Sequence, residues 1–420
     1  MKKPPRNSPE ILEVSIEKIV PDGFGLAHAE NLTIFVPLVA AGDRARIRIE
    51  RKKGKVAFAE LVEILEPSAD RVEPPCPHFG VCGGCDFQQL NYNAQLAAKV
   101  GIVKDCLRRI GKMDWQKEIE IVPSPKAWNY RTRAQWKRDR EKLGYFERKS
   151  HRVCDVRVCP ILTETLQEIL RSERENLNSN FLELRVASSR EAVSLNFSRT
   201  KADSEPDENF YAANKIAEEN DRTDVSTEKQ TAAEIQLKIG EFDYSFSANV
   251  FFQVNHELLP EFIETAIGNA EGNLALDLYC GVGLFALPLA NKFKEVVGIE
   301  GSNSSIEFAN LNAQNADLKN VDFQVSTVGD WLKENSEQLA AVDFVLLDPP
   351  RSGAEKETIE NLIKLKPGKI VYVSCNPATL ARDLLALTNG NYEIENIRAF
   401  DFFPQTHHVE TVVHLVFKTP

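Results

Sequence analysis

Residues 274–290 read "LALDLYCGVGLFALPLA": a short apolar run ending near Asp277, a turn holding Gly281 and Gly283, and an apolar stretch of helix length. Strand, glycine turn and helix in that order form the repeating unit of a parallel sheet covered by helices on both faces. The same pattern recurs downstream. "EVVGIE" (295–300), "VDFQV" (321–325), "VDFVLLD" (342–348) and "KIVYVS" (369–374) are strand-length apolar runs, each followed by a segment long enough for a helix. "IENIRAFDFFP" (394–404) and "ETVVHLVFK" (410–418) are expected to close the sheet as an antiparallel pair. Residues 251–420 therefore predict a doubly wound, Rossmann-like α/β domain.

Ligands of such sheets bind beyond the carboxyl ends of the strands. At the first junction Gly281 and Gly283 let the backbone turn sharply and approach a ligand, and the following helix aims its N–H groups there. With Glu300 ending the next strand, a dinucleotide site and hence a nicotinamide oxidoreductase stay open at this point. "LLDPPRSG" (346–353) turns the reading away from that. Asp348 followed by two prolines makes a stiff loop closing against a cofactor or base, and with Asp277 heading the glycine loop the spacing resembles an S-adenosylmethionine site.

"IVYVSCNPATLARDL" (370–384) ends the fifth strand with Cys375, on the same sheet edge as Gly281, Glu300 and Asp348. A free thiol is mostly protonated at neutral pH, and the helix expected to begin at Pro377 is a candidate for favouring thiolate. Further on, "FPQTHHVETVVHL" (403–415) brings Glu410, beside Thr406, His407 and His408, to the start of another strand as a candidate general base. A thiol and a base beside a methyl donor suit one reaction. Thiolate addition to C6 of uracil makes C5 nucleophilic, and a base then removes the C5 proton so that the thiol can leave. A buried structural cysteine and a salt-bridged glutamate are the bland alternatives.

The remainder of the 420 residues is organised differently, and the length suggests two or three domains. Turn signals and the alternation in "RARIRIE" (44–50) predict a small OB-like β-barrel over residues 8–66, of a kind that commonly holds single-stranded nucleic acid. Residues 67–250 predict a central α+β domain, with a helix at 93–112 free to pack on the catalytic domain and Cys106 in its core. Within it, residues 126–152 carry ten Lys+Arg against three acids, interleaved with Trp128, Tyr130, Trp136, Tyr145 and Phe146. Cations for phosphate and rings for unpaired bases suit single-stranded RNA; a basic strand with its rings turned inward would read the same. The acidic stretch 202–234 is expected to be a solvated insertion.

Net charge is −11, yet residues 1–160 carry 29 Lys+Arg against 21 Asp+Glu, a basic portion joined to an acidic one. No run of eighteen apolar residues occurs and "MKKPPRNSPEILEV" lacks the apolar core of a leader, so a soluble cytoplasmic protein is expected. Eight cysteines then argue for metal binding or catalysis rather than disulfides. "CPHFGVCGGC" holds Cys76, Cys82 and Cys85, with Cys154 and Cys159 as candidates for a fourth ligand. The five-residue gap fits an iron–sulfur centre better than the usual zinc spacing.

"DLYCGVGLFALPLA", "VVGIE", "LLDPPRSG", "IVYVSCNPATLARDL" and "FPQTHHVETV", in this order, resemble the RNA uracil-C5 methyltransferase family, and residues 11–66 resemble the TRAM domain of many members. The resemblance implies Cys375 as nucleophile and Glu410 as base. It implies Gln253 in "SFSANVFFQVN", with Tyr279, Glu300 and Asp348, as contacts to S-adenosylmethionine. Leu284 and Thr327 stand where some members carry cofactor-contacting asparagines, so those contacts are not carried over. "LGYFERKSHRVCDVRVCP" (143–160) resembles the segment whose final Cys-Pro completes a [4Fe–4S] cluster, which selects Cys159 and leaves Cys154 to the core. The implied substrate is structured RNA, with 23S rRNA preferred over tRNA because barrel and cysteine loop together resemble the large-subunit rRNA members. A monomer is expected. The alternative of another class is an RNA-binding or assembly protein without catalysis.

Overall fold

The computed structural model describes residues 10–176, 181–198, 233–336, 339 and 341–418; the acidic stretch 202–234, apart from its last two residues, lies outside these. Its largest sheet has eight strands in the order Val321–Val325, Phe293–Glu300, Gly272–Leu278, Phe344–Leu347, Lys369–Ser374, Glu410–Phe417, Tyr392–Phe400, Glu120–Val122. The first five are parallel, and Glu410–Phe417 runs antiparallel to both its neighbours. The central strands Phe344–Leu347 and Lys369–Ser374 are apolar almost throughout because both faces are covered. Alternate residues feed two cores, Ala275, Val296 and Leu346 on one face and Leu276, Val297 and Val345 on the other. From Gly272–Leu278 the chain winds outward in one direction and then, at Phe344–Leu347, in the other. The crevice where strand order reverses is where a doubly wound sheet binds its ligand.

The edge strand Glu120–Val122 and the helix Tyr92–Arg109 come from the segment assigned by sequence to the central domain. The helix buries Ile102, Val103, Cys106 and Leu107 in the same core as Leu276 and Tyr372. Pairing and packing thus join residues 92–122 to the catalytic sheet.

Central strands Val193–Ser198, Glu183–Ser188, Arg133–Asp139 and Lys142–Gly144 form an antiparallel sheet. Here the aromatic reading is corrected. Period-two alternation sends Ala134, Trp136 and Arg138 inward while Arg133, Gln135 and Lys137 take the other face. Trp136 and Tyr130 are buried and, with Trp128 and Tyr145, belong to the central core. Phe146 is the one exposed ring of the five. Most of the rings hold the sheet together, while Arg133 and Lys137 take the face opposite Trp136 and Arg138 turns inward with it.

The N-terminal sheet has six strands, ordered Ile11–Ser15, Arg44–Lys53, Val56–Glu66, Leu32–Val36, Phe24–Ala29, Lys18–Val20, enclosing Val14, Ile34, Val36, Ala45 and Ile47. The cations of "RARIRIE" are not free for phosphate: Arg44 and Arg46 pair with Glu13, Glu66 and Glu63, and Arg48 with Glu60. No helix among the described residues is long and apolar enough to cross a membrane.

Candidate active site

At the strand-order reversal lies a cavity of about 1430 Å³, lined by Gln253, Tyr279, Gly281, Glu300, Asp348, Cys375 and Glu410. Seven of the eight expected catalytic and cofactor residues thus meet there. The eighth, Gly283, does not line it. Its φ of +87° needs glycine, and a Cβ would stand 2.8 Å from Leu287 and 3.1 Å from Phe323, so it serves packing under the loop. Gly281, at φ +54°, has no atom within 4 Å of a Cβ position, a cradle that a side chain would fill.

Tyr279 also adopts a left-handed φ, +66°, and its hydroxyl donates to Glu355 at 2.8 Å. Glu300 accepts the Gly281 N–H at 3.1 Å and the Ser302 N–H at 2.8 Å. Burial raises its carboxyl and those N–H groups oppose the rise. Gln253 is buried, and its Oε1 has no hydrogen-bond partner. A buried amide oxygen left unmatched at a cavity wall suits a donor brought by a ligand.

Strand register sets the thiol beside the carboxylate. Ser374 pairs with Thr411, so the next step of the antiparallel ladder brings Cys375 opposite Glu410. Asn376 caps the helix Pro377–Asn389, accepting from the Ala378 N–H at 3.0 Å, while its amide donates to Arg351 O, also at 3.0 Å. That helix does not lower the thiol, as the sequence reading expected. Burial pushes Cys375 up, Glu410 and Asp348 add to the rise, and Arg351 opposes it. A helix end contributes roughly 0.3–1 kcal/mol, less than one pKa unit, and is outweighed. Burial likewise raises Glu410 well above the carboxylate range, with Asp348 adding and Arg351 opposing, and pushes Asp348 up to about 7. Buried carboxyls this close favour sharing a proton over double ionisation.

Sequence reasoning placed Arg131, Arg133 and Gln135 in the basic RNA segment but did not bring them to this cavity, and it missed Arg185. Arg131 and, from the central sheet, Arg133, Gln135 and Arg185 also line the cavity, and Arg351 joins them from the Asp348 loop. Arg133 donates to the carbonyls of Ser247, Ala248 and Val250; burial, then Arg185 and Arg131, push it down to about 9. Arg351 stood in the quoted "DPPRSG", but its role depends on a loop lock that no local pattern shows. Asp383 accepts from Tyr372 at 2.6 Å and from the Ala354 N–H at 3.1 Å, while Arg382 donates to the carbonyls of Ser352 and Ala354. His407 and His408, read as neighbours of the base, lie outside the lining; His407 bonds Asp86 instead.

A second cavity, of about 220 Å³, is lined by Cys76, Cys82, Cys85 and Cys159, with His408. It shares Arg131, Arg351 and Phe403 with the first. Cys154 is buried in the central core and does not line it. The Gly84 N–H points at Cys82 Sγ at 3.4 Å, and the N–H groups of Ile161 and Leu162 serve Cys159. Burial pushes Cys82 up to about 12 and Cys159 to about 11. Among the described residues no group of three or more His, Cys, Asp or Glu is placed to hold a metal ion.

A family profile described as tRNA (uracil-5-)-methyltransferase matches residues 213–418, and one for the TRAM domain of tRNA (uracil(54)-C(5))-methyltransferase matches residues 12–69. Among curated relatives, an uncharacterized RNA methyltransferase of Aquifex aeolicus is 33% identical, covering 97% of this chain and 99% of its own; one of Halalkalibacterium halodurans is 31% identical, covering 99% and 98%. Among solved structures, a Pyrococcus abyssi tRNA (uracil-54, C5)-methyltransferase in complex with S-adenosyl-L-homocysteine is 29% identical, covers 96% of this chain and 99% of its own, and superposes with a TM-score of 0.73.

Proposed function

The chain belongs to the RNA uracil-C5 methyltransferase family, and from that premise we propose that Cys375 and Glu410 carry out S-adenosylmethionine-dependent methylation of C5 of a uridine in structured RNA. The observation that carries this reading is the strand register bringing Cys375 and Glu410 together in the cavity that Gln253, Glu300 and Asp348 also line. S-adenosylmethionine, when bound, supplies an electrophilic methyl group. Gln253 Oε1, the Gly281 cradle and the Glu300 carboxylate would hold it.

The chain's own groups then act in sequence. The thiol is protonated at rest, and as Sγ bonds to C6 its proton is released to water, while the Asp348–Glu410 pair keeps one shared proton and one ionised carboxylate. The electron pair of the C5–C6 double bond moves toward O4, and C5 becomes the nucleophile. Once C5 carries its methyl group, Glu410, with the pair's shared proton resting on Asp348, accepts the C5 proton, the double bond returns, the Sγ–C6 bond breaks and the thiolate takes a proton back from water. A carboxylate raised by burial is the stronger acceptor for that proton. Arg133 is held by three backbone carbonyls and Arg185 pairs with Glu183 through its Nε, so Arg131, whose bond to the Arg133 carbonyl also uses only Nε, is the lining guanidinium that best suits a phosphate flanking a uridine drawn from its stack. RNA carrying 5-fluorouridine should trap a covalent complex through Cys375, because fluorine cannot leave as a proton. A parent enzyme that binds cofactor normally yet forms no such complex overturns the mechanism.

For the second cavity the reading is a [4Fe–4S] cluster on Cys76, Cys82, Cys85 and Cys159. Four thiols around one space, with N–H groups aimed at two of the sulfurs, are the donor set it requires. A cubane spreads its thiolates over four corners, so convergence on one ion is not demanded. When bound, it would cross-link the cysteine loop to the central core. Iron and sulfide analysis of parent and Cys159→Ser protein tests this.

Two RNA classes are in contention. Barrel and cysteine loop together support 23S rRNA, the first reading; full-length likeness to an archaeal tRNA enzyme, whose TRAM profile also matches, favours tRNA. Mapping 5-methyluridine by mass spectrometry in both RNAs of a strain lacking the protein separates them. We read the enzyme as a monomer, with one active site and one RNA grip per chain.

A further inference from the structure

The loop 401–409 joins the last two strands and delivers Glu410 and Phe403 to the catalytic cavity. It is fastened by one face of the helix Tyr92–Arg109. Tyr92, Gln95 and Lys99, spaced i, i+3 and i+7, share that face. Lys99, fully buried, pairs with the equally buried Asp401 and donates to Phe403 O at 2.9 Å. The Tyr92 hydroxyl donates to the other Asp401 oxygen at 2.8 Å. The Gln95 amide clasps Gln405 at two points, donating to its Oε1 at 3.0 Å and accepting its backbone N–H at 2.9 Å.

Simple adhesion does not explain this. The second half of the same helix is held by Ile102, Val103, Cys106 and Leu107, apolar packing that suffices to dock it. A buried ion pair adds little net stability over apolar residues of similar volume, so the polar half is costly as glue. What it fixes is conformation. Gln405 sits at φ +70°, a left-handed backbone that L-residues seldom adopt outside glycine, and the Gln95 clasp holds it there. Five residues on, the chain enters the strand that begins with Glu410.

We infer that Tyr92, Gln95 and Lys99 are positioning residues for the proton-abstraction step, acting through the 401–409 loop on Glu410. This rests on reading Glu410 as the base. Loosening the template leaves Cys375 and the cofactor wall in place, so thiol addition and methyl transfer to C5 continue while removal of the C5 proton slows. The methylated adduct, still bonded Sγ–C6, then accumulates.

The test uses the full-length enzyme with unsubstituted RNA, comparing Gln95→Met, Gln405→Gly and Glu410→Gln with the parent. Glycine suits the backbone at 405, so that variant keeps a folded readout even where Gln95→Met unfolds. Turnover in both template variants should fall about tenfold, equivalent to ~1.4 kcal/mol, with tritium release from 5-tritiated uridine falling in step. S-adenosylhomocysteine affinity should stay within about twofold of the parent, ~0.4 kcal/mol. A denaturation-resistant enzyme–RNA adduct should appear, as in Glu410→Gln. Parent turnover in the folded template variants, or reduced turnover without adduct while Glu410→Gln shows it, overturns the inference. Full turnover in Glu410→Gln overturns the reading of the base instead.

Discussion

Alanine at Gly281 and at Gly283 should separate binding from stability within one loop. Both residues have left-handed φ, +54° and +87°, and a Cβ in that region costs roughly 1–2 kcal/mol. At Gly281 nothing in the protein opposes the added methyl, so strain is the whole stability cost, and the melting temperature should fall by about 2–6 °C. The methyl instead enters the wall that faces the cofactor, and S-adenosylhomocysteine binding should weaken at least tenfold, ~1.4 kcal/mol. At Gly283 the methyl meets Leu287 at 2.8 Å and Phe323 at 3.1 Å, both in a close-packed core. Overpacking adds about 1–3 kcal/mol to the strain, giving a fall of roughly 5–15 °C, with affinity changed less than at Gly281. Calorimetric titration with S-adenosylhomocysteine and thermal melts of the three proteins decide it. Weaker binding in Gly283→Ala than in Gly281→Ala, at equal melting temperatures, would refute the division of labour drawn from the loop.

The single-turnover rate should rise with pH through about 7, because burial raises Glu410 and lifts Asp348 to about 7, so that acid leaves the pair without a proton acceptor; an acid-side rate flat down to pH 5 contradicts this. Burial and Arg133 push His256 down to about 4, so its contribution to stability is complete above the unfolded pKa of about 6.5 and is lost as pH falls toward 4. The difference in urea-unfolding free energy between parent and His256→Gln should therefore shrink by about 3 kcal/mol between pH 7 and 4, and a constant difference counts against it. Trp136→Ala should cost about 3–5 kcal/mol of stability because the ring is fully buried, whereas Arg185→Ala should weaken RNA binding and flatten its salt dependence by about one unit of slope. Equal effects of the two on RNA affinity in a folded protein would restore the ring-stacking reading.

The catalytic sheet was legible because its central strands are buried on both faces, so "KIVYVS" has the boundaries that its apolar run predicts, and the half-buried edge strand "VDFQV" keeps its predicted bounds as well. Site residues close to strand ends were legible for the same reason: Glu300, Asp348, Cys375 and Glu410 each end or begin such a run. Trp136 and Tyr130 were not, since alternation fixes which residues share a face and leaves open which face turns inward. Lys99 reads as one more cation on an amphipathic helix. Its partner lies 302 residues away, and only the tertiary fold shows that the pair is sealed from water. The thiol was misjudged because the helix cap is local, while the burial that outweighs it and the Glu410 and Asp348 carboxyls that add to the rise come only with the tertiary fold.

The charge split takes on a physical sense at the cavity. The catalytic domain presents Glu300, Asp348 and Glu410 to a polyanion, an arrangement that would repel RNA if those groups were exposed and ionised. Burial lifts all three and holds a shared proton on the Asp348–Glu410 pair, while Arg131, Arg133 and Arg185 line the same cavity. In the proposed mechanism a phosphate meets guanidinium at the cavity wall, and the base passes beyond it to carboxyls that are partly neutral. The barrel contributes less than its composition suggests, because Arg44, Arg46, Arg48 and Lys52 are spent on glutamates. Arg51, stacked 4.5 Å from the centre of Phe58, is in no ion pair among the described residues, nor are Lys53 and Lys55. Phe58 packs in turn on Phe24 and Phe35. On that barrel the half-buried rings and free cations occur together, the combination first sought in residues 126–152.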